Sequence, residues 1–321
     1  MKTSASLVAA LITALAPLAA SAQAFPSKPI RVIVPYGAGG TSDILARQIG
    51  PKITETTGQP VIVENKPGAN GNVGAEFVAK SAPDGYTVLL ADIGALCISP
   101  SVYPKLPFDP LKDFAPVVMV SYSPHVLAVH PSVPVASVKE LVEYAKAKPG
   151  QLNFAISGTG GAPHLAGIEF AQRTGVQWAY IPYKGGAPAV ADVVAGQANV
   201  LFNGMLATYP QVRNGKLKAL AVSSARRVAS APEVPTVAET LPGFETGSWQ
   251  GVVAPPGTPR EVVAKLNAEF ARALNLQEIK DRLATQGTDV RTDTPEAFAK
   301  FMRDEVAKWA KVVKDSGVKF E

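Results

Sequence analysis

Ile30-Arg31-Val32-Ile33-Val34-Pro35 runs directly into Tyr36-Gly37-Ala38-Gly39-Gly40-Thr41-Ser42-Asp43, and no other part of the 321-residue chain says as much about its architecture. The β-branched run reads as a buried strand, the glycines as a sharp loop, and the residues from Ser42 onward as an amphipathic helix. A helix starting there leaves backbone N–H groups without partners, which makes the end of the strand a site for an anion. Asp43, in the first helical turn, suits the positive end of the helix dipole by about 0.3–1 kcal/mol. Its expected role is to cap the loop and fix Gly39 and Gly40.

Upstream of this unit the first 24 residues form an address label. Lys2 gives a positive start, an apolar stretch from Leu7 to Ala20 follows, and Ala20-Ser21-Ala22 and Ala22-Gln23-Ala24 are small-residue cleavage sites. The pattern is that of a secretory signal peptide, and its apolar run is short for a bilayer span. A soluble exported product, cleaved near residues 22–24, is expected. The single cysteine, Cys97, rules out an intramolecular disulfide framework and a cysteine-rich zinc site. The net charge of +5 drops by one with the signal, and the scattered Lys and Arg form no basic run with interleaved aromatics, so nucleic acid is not an expected partner.

Strand-like runs at 30–35, 60–63 and 86–91 alternate with helical stretches at 42–56 and 74–80, the pattern of a parallel sheet covered by helices. Prolines at 100, 104, 107, 110 and 116 then indicate a surface loop. A second series has strands at 126–129, 152–156, 178–181, 200–203 and 217–223, with helices at 137–148, 165–174 and 187–195. Within it Ser157-Gly158-Thr159-Gly160-Gly161 repeats the strand, glycine-loop and helix arrangement, so two similar α/β lobes are expected. Thr258-Pro259-Arg260-Glu261 reads as a helix start with a capping threonine. Thr294-Pro295 reads as another, carrying Phe298, Phe301, Met302, Trp309 and Val313 at helical spacing until Gly317 ends it.

Several chemistries can be weighed against these residues. The Gly37 loop matches two glycines of G-x-G-x-x-G, and Glu64 sits where a ribose-binding acid belongs, but Ser42 replaces the third glycine. Export also argues against a nicotinamide cofactor, so no cofactor is expected. The chain has no phosphate-loop lysine motif, no G-x-S-x-G elbow and no H-E-x-x-H. His125, His130 and His164 lack metal-ligand spacing, and no metal is expected. His164 follows the Ser157 loop at a helix start and either touches a ligand or orders the loop. Cys97 reads as a small buried thiol, and Lys184 as a solvated loop residue. What remains is a pair of non-catalytic anion cradles, amides of Ala38–Thr41 facing amides of Ser157–Gly161, with hydroxyls of Thr41, Ser157 and Thr159 as added donors. Asp92 and Asn203, at strand ends, stand where a ligand's polar tail would be discriminated.

Pro35-Tyr36-x-x-Gly39-Gly40-x-x-Asp43 and Val63-Glu64-Asn65-Lys66-Pro67-Gly68-Ala69-x-Gly71 resemble the opening motifs of Bug-type solute-binding proteins, the TctC-like extracytoplasmic receptors of tripartite tricarboxylate transporters. Pro83-Asp84-Gly85-Tyr86, Ser157-Gly158-Thr159-Gly160, Pro182-Tyr183-Lys184-Gly185-Gly186 and Trp249-x-Gly251 extend the resemblance in family order. It implies an α/β type II periplasmic binding protein fold, two lobes around a cleft joined by crossing strands at 123–129 and 248–254. Lobe 1 would comprise 25–123 plus 252–321, and lobe 2 would comprise 124–251. The implied ligand is a small organic carboxylate, held by Tyr36, Ala38, Gly39, Ser157, Gly158 and Thr159. Asn203 falls where many relatives carry Asp, which argues against an amine-bearing ligand. The implied partners are the large and small integral membrane subunits of the transporter, with the receptor acting as a monomer and not as an enzyme. A ligand-sensing receptor for a signalling partner, or a secreted enzyme using the same cleft, are the alternatives.

Overall fold

The computed structural model describes residues 25–317; the expected export signal lies outside the described residues. In chain order the elements are β1 (Ile30–Val34), α1 (Thr41–Thr57), β2 (Val61–Asn65), α2 (Asn72–Ala79), β3 (Thr87–Asp92), α3 (Ser99–Val102) and β4 (Ala115–Val129). Then come α4 (Val138–Ala147), β5 (Asn153–Ile156), α5 (Ala162–Thr174), β6 (Ala179–Pro182), α6 (Gly186–Val194), β7 (Val200–Gly204), α7 (Met205–Arg213) and β8 (Lys218–Val222). The chain closes with β9 (Gly247–Ala254), α8 (Arg260–Leu274), α9 (Gln277–Ala284), β10 (Asp289–Val290) and α10 (Pro295–Ser316).

Two twisted sheets share one long strand. In the first, β1 lies parallel to β2 and β3, and β9 pairs antiparallel with β3 and with residues 115–124 of β4. In the second, β5 is parallel to β6 and β7, while residues 125–129 of β4 pair antiparallel with β7 and β8. The change of partner falls between Pro124, opposite Gly247, and His125, opposite Gly204. Proline has no N–H to give a ladder, so this is a natural place for β4 to leave one sheet for the other. The expected second crossing at 248–254 is corrected: β9 lies wholly in the first sheet, and the return passage is made just before it, where the Thr246 N–H donates to the Ser223 carbonyl of the second sheet.

Helices cover both faces of each sheet, leaving apolar clusters on either side of each. α1 buries Leu45, Ala46, Ile49 and Ile53, one helical face, against β1 and α8. α10 buries Phe298, Met302, Trp309 and Val313, and its buried Glu305 accepts from the indole N–H groups of Trp249 and Trp309 at 3.1 Å each. Thr294 caps this helix by accepting from the Ala297 N–H, and Gly317 ends it at φ 65°. Thr258 corrects the expectation for α8: its hydroxyl donates to the Pro255 carbonyl, Pro259 is the N-cap, and no side chain caps the helix. β4 is also far longer than the expected strand at 126–129, because Pro116, read as part of a proline-rich loop, sits at a ladder position that tolerates it. α7, with Pro210 inside it, and the short β10 escaped sequence reading.

Candidate ligand-binding site

The two glycine loops are geometrical copies. Gly39 and Gly160 adopt φ 80° and 73°, and Gly40 and Gly161 follow as extended N-caps of α1 and α5. Positive φ favours glycine at the first position of each pair. In both loops the third helical side chain reaches back to the positive-φ residue. The Gly39 N–H donates to Asp43 at 2.9 Å, and the Gly160 N–H donates to His164 Nδ1 at 2.9 Å. Asp43 also accepts from Arg47 and from Asn65, both at 3.0 Å. Burial would raise its carboxyl, but Arg47, the Gly39 amide and Asn65 together hold it below the usual carboxylate value. His164 is pushed down to about 4 by burial, so it stays neutral and its Nδ1 acts as the acceptor.

These bonds correct the expected donor set. The amides of Gly39 and Gly160 serve the loops themselves, Gly37 donates to the Lys184 carbonyl at 3.1 Å, and Gly40 and Gly161 bond back to Gly37 and Gly158. The amides left without intrahelical acceptors lie one step later, at Thr41 and Ser42 and at Ala162. Two more helices point the same way: α6, with Gly185 as N-cap, and α7, with Gly204 as N-cap. All four N-caps are glycines without a capping side chain.

Together they wall a compact cavity of about 40 Å³, room for on the order of three ordered waters or a polar group of similar extent. Of the residues named from sequence, Tyr36, Gly40, Thr41, Asp92, Ser157 and Asn203 line it. Ala38, Gly39, Gly158, Thr159 and His164 do not, although Gly158 and Thr159 line an adjoining hollow of about 260 Å³ beside Asn70 and Tyr36. The floor comes from β4 and β9 residues that sequence reading missed as site residues: Ser123, His125, Ser248 and Gln250. Their only sequence signal was polarity inside otherwise apolar strands. No Lys or Arg lines the cavity, and Asp92 is its one carboxylate.

Tyr36 donates a short hydrogen bond to Asp92, which also accepts from the Gly94 N–H at 2.8 Å. Burial raises the Asp92 carboxyl above its usual value against the pull of those donors, and burial with the Asp92 charge raises the Tyr36 hydroxyl well above its own. Asn203 donates to Thr208 at 3.0 Å. Buried His125 is pushed down to about 3 and is neutral, with Nδ1 3.1 Å from the Thr246 hydroxyl. Glu64 grips Arg31 through both oxygens at 2.7 and 2.8 Å, away from the cavity. Cys97 is a buried thiol raised by burial, and the Lys184 residue is exposed. Among the described residues no acidic, histidine and cysteine cluster could hold a metal, and no helix is long and apolar enough to cross a membrane.

The walls come from both sheets and touch. A Cβ added at Gly204 would meet Thr41 Oγ1 at 2.9 Å, one at Gly185 would meet the Gly37 nitrogen at 3.0 Å, and one at Gly158 would meet Asn70 Oδ1 at 2.7 Å. The Tyr103 hydroxyl donates to the Thr159 carbonyl at 3.1 Å. Residues 45–318 match the description "Tripartite tricarboxylate transporter family receptor". The chain is similar to Protein BugT of Bordetella pertussis, 38% identical over 94% of this chain and 93% of that one. Among solved structures it is similar to Rpa4515 of R. palustris with adipate, at 35% identity, TM-score 0.89, and coverage of 92% and 99% of the two chains. It is also similar to MatC of Rhodopseudomonas palustris with bound malate, at 34% identity, TM-score 0.85, and coverage of 90% and 100%.

Proposed function

The chain belongs to the tripartite tricarboxylate transporter receptor family, and from that premise we propose that it captures a small organic carboxylate in the cavity between its two sheets and presents it to the transporter's large and small membrane subunits. The observation that carries this reading is the convergence of four uncapped helix N-termini, from both sheets, on a cavity without a cationic side chain. Backbone amides and hydroxyls at such termini hold a carboxylate by charge-assisted hydrogen bonds. Thr41, Ser42, Ser157 and Ala162 supply those donors, Gly39, Gly40, Asp43 and His164 hold the loops in shape, and Tyr36, Asp92 and Asn203 face the rest of the ligand. The two sheets act as lobes, 25–124 with 247–317 and 125–246, that close on the ligand by turning about β4 and the return passage before β9. Contacts from both lobes supply the differential affinity that such a population shift needs. The receptor works as a periplasmic monomer after cleavage of its export signal, without catalysis.

Micromolar capture corresponds to about 8 kcal/mol. Calorimetry with malate, adipate, aromatic acids and acidic amino acids, run beside neutral sugars and cationic amino acids, tests the reading. Binding confined to the acids is expected; tight binding of a sugar or a cation overturns it.

A further inference from the structure

Successive residues of β4 and β9 face opposite sides, as β geometry requires. Ser123, Ser248 and Gln250 line the carboxylate cavity, whereas Tyr122, Gly247 and Trp249 line a groove behind the strands. That groove encloses about 960 Å³ against about 40 Å³ in the cavity. Its walls belong to different sheets: Leu165, Ile168 and Glu169 on α5, and Phe301, Trp309 and Val312 on α10. At its far end the Gln172 side-chain amide donates to the Ser316 carbonyl at 2.7 Å, joining the two helices. A pair of lobes turning about a shared strand cannot change the space on one side without changing it on the other. The narrow cavity and the wide groove are therefore two views of one hinge angle.

Resting on the reading that the lobes close on a ligand, we propose that the groove between α5 and α10 is the counter-space of closure, and that its filling sets the balance between open and closed forms. Opening the cleft drives the aromatic face of α10 toward α5 and buries apolar surface; closing it re-exposes that surface to water. The groove is thus a spring that favours the open form until ligand contacts outweigh it. A side chain that fits the wide groove and clashes with the narrow one shifts the balance toward closure.

Val312→Trp on α10 and Ile168→Trp on α5 test this from opposite walls. Small-angle X-ray scattering without added acid reads the hinge directly, and thermal unfolding by circular dichroism confirms that each variant is folded. The expected result is a smaller radius of gyration than the unsubstituted protein. Adipate or malate, whichever binds the unsubstituted protein, should bind about tenfold tighter and leave more slowly, the shift expected when the clash disfavours the open form about tenfold. A folded variant with an unchanged or larger radius overturns the proposal. Scattering decides this even where neither acid binds, so a failure of the carboxylate reading stays distinguishable from a failure of the groove.

Discussion

Buried His164 and His125 add an acid sensitivity to this fold that begins near the ordinary histidine value. Burial pushes them down to about 4 and about 3 from an ordinary 6.5. Above pH 6.5 both are neutral in folded and unfolded chains, and they contribute nothing to pH dependence. Below 6.5 the unfolded chain takes up protons that the folded chain refuses, so stability falls as pH falls until the folded values are reached. Each site then contributes about 1.4 kcal/mol per pH unit, or roughly 2 kcal/mol between pH 6.5 and 5. Replacing His164→Gln keeps an acceptor near the Gly160 N–H but removes the titration. Urea unfolding at pH 7, 6 and 5 is the assay. Relative to the unsubstituted protein, the variant is expected to lose about 2 kcal/mol less between pH 7 and 5, after a cost at pH 7 of about 1 kcal/mol for the altered hydrogen bond. Parallel pH profiles for the two proteins would refute the assignment of His164 as a buried neutral acceptor.

Three further substitutions probe the site and its supports. Gly186→Ala places a methyl 2.7 Å from Asn203 Oδ1 in the cavity wall; overpacking of about 1–3 kcal/mol should weaken malate or adipate binding about 5- to 150-fold in calorimetry. Asp43→Ala removes the acceptor for the Gly39 amide, Arg47 and Asn65. With half-exposed Arg47 discounted, the loss should be about 2–3 kcal/mol in urea unfolding at pH 7. Because the folded carboxyl lies below its ordinary 3.8, that contribution is complete above 3.8 and shrinks as pH falls through the folded value. Glu305→Ala strands two indole N–H groups in the interior, a loss of about 2–5 kcal/mol, visible also as a change in tryptophan emission on unfolding.

Local signals carried much of the fold. β1, α1, α4 and α5 appear within a few residues of where the sequence puts them, because each has a regular apolar pattern and the helices have clear starts, a glycine loop before α1 and α5 and a capping serine before α4. The failures have a common origin. β4 was cut short because Pro116 closes a run of prolines that looks like a loop until a neighbouring strand shows which N–H groups the ladder needs. α7 was hidden by Pro210, and Thr258 looked like a cap because T-P-x-E is a helix-start pattern wherever it occurs. In the candidate site, sequence could mark the glycine loops but not which amides each loop uses internally.

The sequence by itself determined that Gly37–Gly40 and Ser157–Gly161 follow strands and start helices, and that Asp43 lies within reach of its loop. Those are relations among residues a turn or two apart, fixed by backbone geometry. Tertiary structure alone decided that the starts of α1, α5, α6 and α7 share one cavity, and that its floor is Ser123, His125, Ser248 and Gln250. It alone decided that the opposite faces of the same strands look onto a groove. Such neighbours are chosen by strand order and by the passage of β4 between sheets, and strand pairing is a long-range choice that no local window contains.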